Sequence, residues 1–282
     1  MLSLEKVQHS VDGTMKMLYR LSDGHCVETV ALPFRRKYTL CLSSQVGCRF
    51  NCAFCLTGKQ KFQRSLTSTE IINQYLCAWN YLLENKKTIA TANIVFMGQG
   101  EPLDNFEAIK ESIMHLMRTD GIKLGPRQIT VSTAGYLPGI KRFLELPPIN
   151  LAISLHSAIN EKRSQIMPIN KKYPIGDIID VVKNFPLVKK QYLAFEYLLI
   201  KNFNDHVDDA NHLFMLIKEF KSIVNIIPFN PYPGSEFIRP TKVEVEQFKQ
   251  LLVQLRLRTM IRISRGHDIM AACGQLRSPN HQ

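Results

Sequence analysis

The sequence predicts an α/β protein: a partial (β/α)6 TIM-type barrel preceded by an N-terminal β-hairpin. Three observations point there. Strand-length apolar runs alternate with helical patterns along most of the chain, which argues for right-handed βαβ units and a parallel sheet. The 282 residues, 45% of them hydrophobic, suffice for one large core, and no repeat or low-complexity linker divides them. The residues with chemical potential follow strand runs, on the rim where such barrels keep their ligands.

Taken in order, "GTMKMLYRLSDGHCVETVALP" alternates loosely around Ser22-Asp23-Gly24, a turn signal, and reads as the hairpin. "KYTLCLS" is the first barrel strand and leads into a cysteine-rich loop. "TSTEIINQYLCAWNYLLEN" is a helix opened by a capping box of Thr67 and Glu70. The later strands are "ANIVFMG", "RQITVST", "NLAISLH", "QYLAFEYLLI", "SIVNIIPFN" and "MIRIS", with helices such as "NFEAIKESIMHLMRT", "VDDANHLFMLIKEF" and "EVEQFKQLLVQLRL" between them. The expected organisation is a hairpin extension over residues 1–37 and a core barrel over residues 38–282.

Lysine and arginine number 36 against 24 acidic residues, a net charge of +12 that favours a polyanionic partner, most simply nucleic acid. No apolar run reaches the length of a membrane span, and "MLSLEKVQHSVDG" lacks a signal-peptide core. A cytoplasmic monomer with no membrane partner is expected. Seven cysteines without secretory features point away from a disulfide framework and toward metal binding or catalysis.

Three of these cysteines, Cys48, Cys52 and Cys55, lie within "VGCRFNCAFCLTG". Structural zinc wants four closed ligands, but only Cys52 and Cys55 form a Cys-x-x-Cys pair and no histidine is near. A four-iron–four-sulfur cluster fits better, and three thiolates leave one iron open, as in catalytic metal sites. The spacing, with Phe54 before the last cysteine, resembles the loop signature of the radical S-adenosylmethionine (SAM) enzymes, in which SAM occupies the open iron. Beside such a cluster, Gly98 and Gly100 of "GQGEP" would let backbone approach a ligand, and Glu101 could take the SAM ammonium. Ser132, Ser154 and His156 close strands and, alone, are as readily local hydrogen-bonding residues.

"VETVALP", "TLCLSSQVGCRFNCAFCLTG", "MGQGEPLDN", "ITVSTAG", "LAISLHSA", "IPFNPYPGSEF" and "RGHDIMAACGQL" closely resemble, in order, the RlmN/Cfr family of radical SAM RNA methyltransferases. The resemblance runs from about residue 15 to Cys273. It implies a radical SAM barrel with a catalytic C-terminal tail, one 4Fe–4S cluster and SAM as cofactors. The activity implied is methylation of an adenine ring carbon in ribosomal RNA, transfer RNA or both, with an electron donor such as a flavodoxin or ferredoxin system. Carbon 2 is favoured over carbon 8, as the commoner housekeeping activity of the family.

Neither carbon is a nucleophile, so the family methylates one of its own cysteines first and then makes a carbon radical of that methyl. By this resemblance Cys273 bears the methyl group. Cys41 then attacks the Cys273 sulfur, which frees the product and leaves a Cys41–Cys273 disulfide. Glu28 matches the residue that takes the ring proton. Gly100, Glu101, Ser132, Ser154, Leu155, His156 and Asn230 match the positions that hold SAM, while Cys26 and Cys77 match nothing and read as structural.

Two alternatives stay open: a radical SAM enzyme with a protein or small-molecule target, and a non-catalytic iron–sulfur RNA-binding module. The chain begins almost at the hairpin, so the family's usual N-terminal helical domain is expected to be absent. RNA contact then falls to basic groups on the barrel, for which Arg35, Arg36, Lys37, Lys59, Lys61, Arg64, Lys171 and Lys172 are candidates. His267 and Asp268 replace a commonly acidic pair, and altered local substrate contact is expected there.

Overall fold

Three short antiparallel strands open the chain. In a computed structural model, which describes residues 2–35, 37–85, 91–186 and 191–278, they are β1 (Ser3–His9), β2 (Met15–Arg20) and β3 (Cys26–Phe34). β2 and β3 form the expected hairpin around Gly24, which takes φ +88°. β1 is an addition to the reading above. Its "SLEKVQH" is largely exposed and lacks apolar alternation, as suits an edge strand.

β3 pairs antiparallel with β4 (Lys37–Cys41), the first barrel strand. The cysteine loop leaves β4 and is closed at its base by a ribbon of β5 (Gln45–Val46) and β6 (Arg64–Ser65). Parallel strands then follow beside β4: β7 (Thr91–Phe96), β8 (Ile129–Thr133), β9 (Asn150–Ser154), β10 (Leu193–Leu199), β11 (Ser222–Pro228) and β12 (Thr259–Ile261).

The crossovers carry α1 (Ser68–Asn85), α2 (Phe106–Met117), α3 (Leu137–Lys141), α4 (Asn160–Ile166) with α5 (Ile175–Lys183), α6 (Val207–Ile217) and α7 (Lys242–Gln254). Six βα units with a short closing strand make one continuous sheet whose ends, β1 and β12, do not meet. The barrel is therefore partial; the alternation of strands and helices predicts a barrel of this kind, closed or partial, and the open sheet decides between them.

Local chemistry explains these elements. Thr67 and Glu70 form the reciprocal capping box of α1: Glu70 N donates to Thr67 Oγ1 at 3.2 Å and Thr67 N to Glu70 Oε2 at 2.9 Å. Ile71, Tyr75, Ala78 and Leu82 then bury one face of that helix at helical spacing. Met17, Tyr19 and Val27 of the hairpin share the core with Leu40, Ile94 and Val131 of the barrel. The extension is thus packed into the same hydrophobic interior.

One polar pair is buried beneath this layer. Lys16 Nζ lies 3.0 Å from Glu28 Oε1, and both side chains are almost wholly enclosed. Lys16 also donates to the Met270 carbonyl at 3.2 Å, and Glu28 Oε2 accepts the Arg277 amide at 2.8 Å. The pair thereby joins the hairpin to the C-terminal tail. Removing one partner of a buried pair strands the other charge, so Lys16→Met should cost about 3–5 kcal/mol in denaturant unfolding at neutral pH. Burial already pushes the Glu28 carboxyl upward against the pull of Lys16. Without Lys16 it is neutral more readily, so the loss should shrink as pH falls.

Candidate active site

The cysteine loop is held from two sides. Ala53 N donates to the Ile166 carbonyl at the end of α4 at 2.9 Å, and Leu56 N donates to the Gly274 carbonyl of the tail at 2.7 Å. Cys48, Cys52 and Cys55 all face one cavity of about 160 Å3 at the C-terminal ends of the strands. Burial pushes the Cys48 thiol up to about 12 and raises Cys52 and Cys55 as well, with repulsion among the sulfurs adding to the first two. Thiols so placed are stable as thiolates only on a cation. Among the described residues no three His, Cys, Asp or Glu side chains close on a single ion. Three thiolates on one cavity, with no fourth cysteine or histidine beside them in the loop, suit an iron–sulfur cluster with one open position better than a closed structural zinc.

The other wall of this cavity is built from strand ends. Gly98 and Gly100 follow β7, and their need is partly internal. A Cβ on Gly98 would lie 2.6 Å from the Leu42 carbonyl oxygen, and Gly100, at φ +97°, has Gln45 equally close. Glu101 is buried, with Oε1 accepting Leu103 N at 3.1 Å and Oε2 accepting Ala134 N at 2.7 Å. Burial outweighs these bonds and raises its carboxyl to about 7.

Ser132, Ser154 and His156 line the same space. His156 Nδ1 accepts the Leu198 amide at 3.0 Å, so the proton sits on Nε2. Burial, and then the Arg163 charge, pull its pKa down to about 3, leaving a neutral ring against the edge of Phe54.

A second cavity, of about 430 Å3, adjoins the first. Cys41 at the end of β4 lines it, and Met97, Ile227, Arg262 and Cys273 line both. Cys273 is exposed and Cys41 buried, and both thiols are free. Burial, and then the neighbouring Cys273, push the Cys41 thiol up to about 12, while Arg262 pulls the other way. Arg262 is held by Glu196, Nη1 to Oε2 at 3.2 Å.

Three expected site residues fall elsewhere. Leu155 is fully buried and lines neither cavity, its amide bonded to the Glu196 carbonyl. Asn230 lines the second cavity, where Nδ2 donates to the Cys273 carbonyl at 3.1 Å and Oδ1 accepts from Arg239 at 2.8 Å. Glu28 lines neither cavity, and both its oxygens are engaged by Lys16 and Arg277. His267 and Asp268 are tail fasteners rather than cavity groups: Asp268 takes Ser10 Oγ and Val11 N at 2.6 and 3.1 Å, and His267 meets Arg239 at 2.8 Å.

Arg64 is bound to Asp23 and Glu70 and so leaves the pool of free cations, while Arg36 lies outside the described residues. Cys26 and Cys77 lie outside both cavities. The sequence reading missed Glu196 and Arg262, whose signal was a single charge in each of two apolar strand runs, "AFEYLLI" and "MIRIS".

A parallel partial barrel with three thiols and a row of polar strand ends on one rim defines a radical SAM enzyme, and a radical SAM superfamily match spans residues 42–213. "Dual-specificity RNA methyltransferase RlmN" of Nautilia profundicola is 43% identical over 97% of this chain and 81% of its own length. The protein of the same name from Geotalea uraniireducens is 43% identical over 98% and 78%. A crystal structure of a radical SAM methyltransferase from Sphaerobacter thermophilus superimposes with a TM-score of 0.93, at 38% identity over 98% of this chain and 81% of that one.

The chain belongs to the RlmN/Cfr family of radical SAM RNA methyltransferases, and its cofactors are a 4Fe–4S cluster and SAM. Streptococcus suis SuiB, solved with SAM bound, shares only the fold (TM-score 0.53, 12% identity). Among the described residues no helix is long and apolar enough to cross a membrane.

The difference in burial between the two tail-side thiols is measurable. With the cluster in place, iodoacetamide at pH 8 should modify Cys273 readily and Cys41 at least about 100-fold more slowly, as mapped by mass spectrometry, because so little Cys41 is thiolate.

Proposed function

We propose that this enzyme methylates carbon 2 of an adenine in ribosomal or transfer RNA by way of a methyl group first carried on Cys273. The observation that carries this reading is the position of Cys273, at the junction of a cavity bearing the cluster thiols and a cavity bearing Cys41. Cys48, Cys52 and Cys55 hold the cluster, and Gly100, Glu101, Ser132, Ser154 and His156 shape the SAM site. Asn230 fixes the Cys273 carbonyl between the two spaces. When bound, cluster and SAM supply the methyl group and the carbon radical that later takes hydrogen from it.

The remaining steps belong to the chain. With one hydrogen taken from its methyl, the Cys273 methylene carbon adds as a radical to the adenine, which enters through the second cavity. The ring gives up one electron as it loses its proton, for which the oxidised cluster would be the acceptor. Glu28 accepts the ring proton, for which its Oε2 must release the Arg277 amide, so the tail shifts during turnover. Cys41, favoured as thiolate by Arg262, then attacks the Cys273 sulfur. An S–S bond forms, the S–CH2 bond breaks, and the methylene carbon leaves with the electron pair and takes a proton. A reductant must reopen this disulfide before the next cycle, and a flavodoxin or ferredoxin system supplies electrons to a monomeric enzyme.

Exposed Lys59, Lys61, Lys171 and Lys172 on loops at this end of the barrel position phosphates. The "dual-specificity" in the relatives' names supports more than one RNA target.

In Cys41→Ala incubated with RNA and SAM under reducing, anaerobic conditions, a covalent RNA–protein adduct through Cys273 should accumulate. It should be absent in the Cys41→Ala, Cys273→Ala double variant. Nucleotide mass mapping after wild-type turnover reports the carbon, and product at carbon 8 would refute the carbon 2 assignment.

Glu101 gives a second test. Its carboxyl is raised to about 7, so its charge, and its attraction for the SAM ammonium, is lost as pH falls through that value. SAM affinity of the holoenzyme by calorimetry should drop roughly tenfold from pH 7.5 to pH 6, and Glu101→Gln should flatten the profile.

A further inference from the structure

Arg163, projecting inward from α4, is the bulkiest fully enclosed side chain among the described residues, with 0% of its surface exposed. All its hydrogen bonds go to neutral oxygens. Nε donates to the Leu155 carbonyl at 3.0 Å, Nη1 to Asn170 Oδ1 at 2.6 Å, and Nη2 to the Ala134 and Ser154 carbonyls at 2.8 and 3.0 Å. No carboxylate pairs with it among the described residues, whereas the buried Lys16, Glu28 and Glu196 each have an opposite charge beside them. A guanidinium removed from water and solvated only by dipoles is costly, and a buried charge normally has a counter-ion. Burial lowers its pKa to about 10, so it stays cationic at neutral pH.

Its surroundings indicate where the missing negative charge belongs. Ala134 and Ser154, whose carbonyls it holds, line the cavity that the three cysteines face. The same short helix takes Ala53, next to Cys52, onto its last carbonyl, and Cys52 packs against the apolar cluster that includes Ile166 and Met167. His156, the titratable ring on this side, is neutral and offers no charge of its own.

We propose that Arg163 is the built-in counter-charge of the cluster, a positioning residue that makes the bound cluster easier to reduce. The proposal rests on reading Cys48, Cys52 and Cys55 as the cluster ligands. Reduction adds one electron to a site already carrying three thiolates. A fixed cation that solvent cannot screen is attracted more strongly to the reduced state than to the oxidised one, so the potential rises.

The test is an EPR-monitored redox titration of the reconstituted holoenzyme, with iron and sulfide content and thermal melting measured in parallel. Arg163→Met should move the midpoint negative by at least a tenfold change in the one-electron equilibrium, about 59 mV. Arg163→Lys keeps the charge but loses most of the hydrogen bonds, so it should restore most of the potential while still melting below wild type. Asn170→Asp sets a carboxylate against Nη1 with little change of shape and should lower the midpoint without removing the arginine, which keeps the question decidable if Arg163→Met does not fold.

Unchanged midpoints in Asn170→Asp and in any folded Arg163 variant would overturn the proposal and leave Arg163 a hydrogen-bonding hub. Failure of the underlying ligand reading looks different: wild type would take up no cluster, or Cys52→Ala would bind as much iron as wild type.

Discussion

Everything distinctive in this active site depends on holding an almost unstructured tail across the mouth of the barrel. Residues 262–278 contain one turn of 3-10 helix and otherwise no regular ladder, so their backbone groups must find partners elsewhere. They find them in three places. The hairpin layer contributes Ser10, Asp12, Lys16 and Glu28, with Asp12 accepting Gly266 N at 2.9 Å. The cysteine loop contributes Leu56, Thr57 and Gln60, which hold the carbonyls of Gly274, Leu276 and Ser278. The end of β11 contributes Asn230, on the Cys273 carbonyl itself. Cys273 is where it is because these sets agree.

That agreement makes the N-terminal layer part of the active site, although no residue from β1 or β2 lines either cavity. The hairpin grips the tail, the tail grips the cysteine loop through Gly274, and the loop presents the thiols. Gly274 takes φ +83° where a Cβ would crowd the Phe54 carbonyl at 3.2 Å, so the tail passes the cluster loop at close backbone range. A disturbance in any link moves one reacting sulfur relative to the others.

The parts that could be read from sequence are those governed by local pattern. The parallel strands stood out because strands buried on both faces are continuous apolar runs, and the α1 capping box because its two side chains are three residues apart. β1 was missed because an exposed edge strand needs no apolar alternation. The cysteine loop was legible by spacing and the Cys41–Cys273 relation only by family resemblance, since nothing local links residues so far apart. The clasp of Asp268 on Ser10 spans 258 positions and looked like a change in substrate contact. Arg163 in "NEKRSQI" resembles any solvated helix charge, and only packing reveals that it is enclosed.

The fold gives chemically identical thiols two different electrostatic settings. Cys52 shares its surroundings with Arg163, which has no carboxylate partner among the described residues, so that cation remains available to an anionic group placed there. Cys41 and Cys273 share theirs with Arg262, whose charge is already largely satisfied by Glu196 and in turn Asn225, 3.0 Å from Glu196 Oε1. A partly neutralised arginine can assist a thiolate that must form briefly without trapping it, which suits a sulfur that exchanges partners in every cycle. An unneutralised one suits sulfurs that stay ionised throughout. On this argument the pairing of each arginine, more than its distance from sulfur, separates the cysteines proposed to hold the cluster from those proposed to carry and release the methyl group.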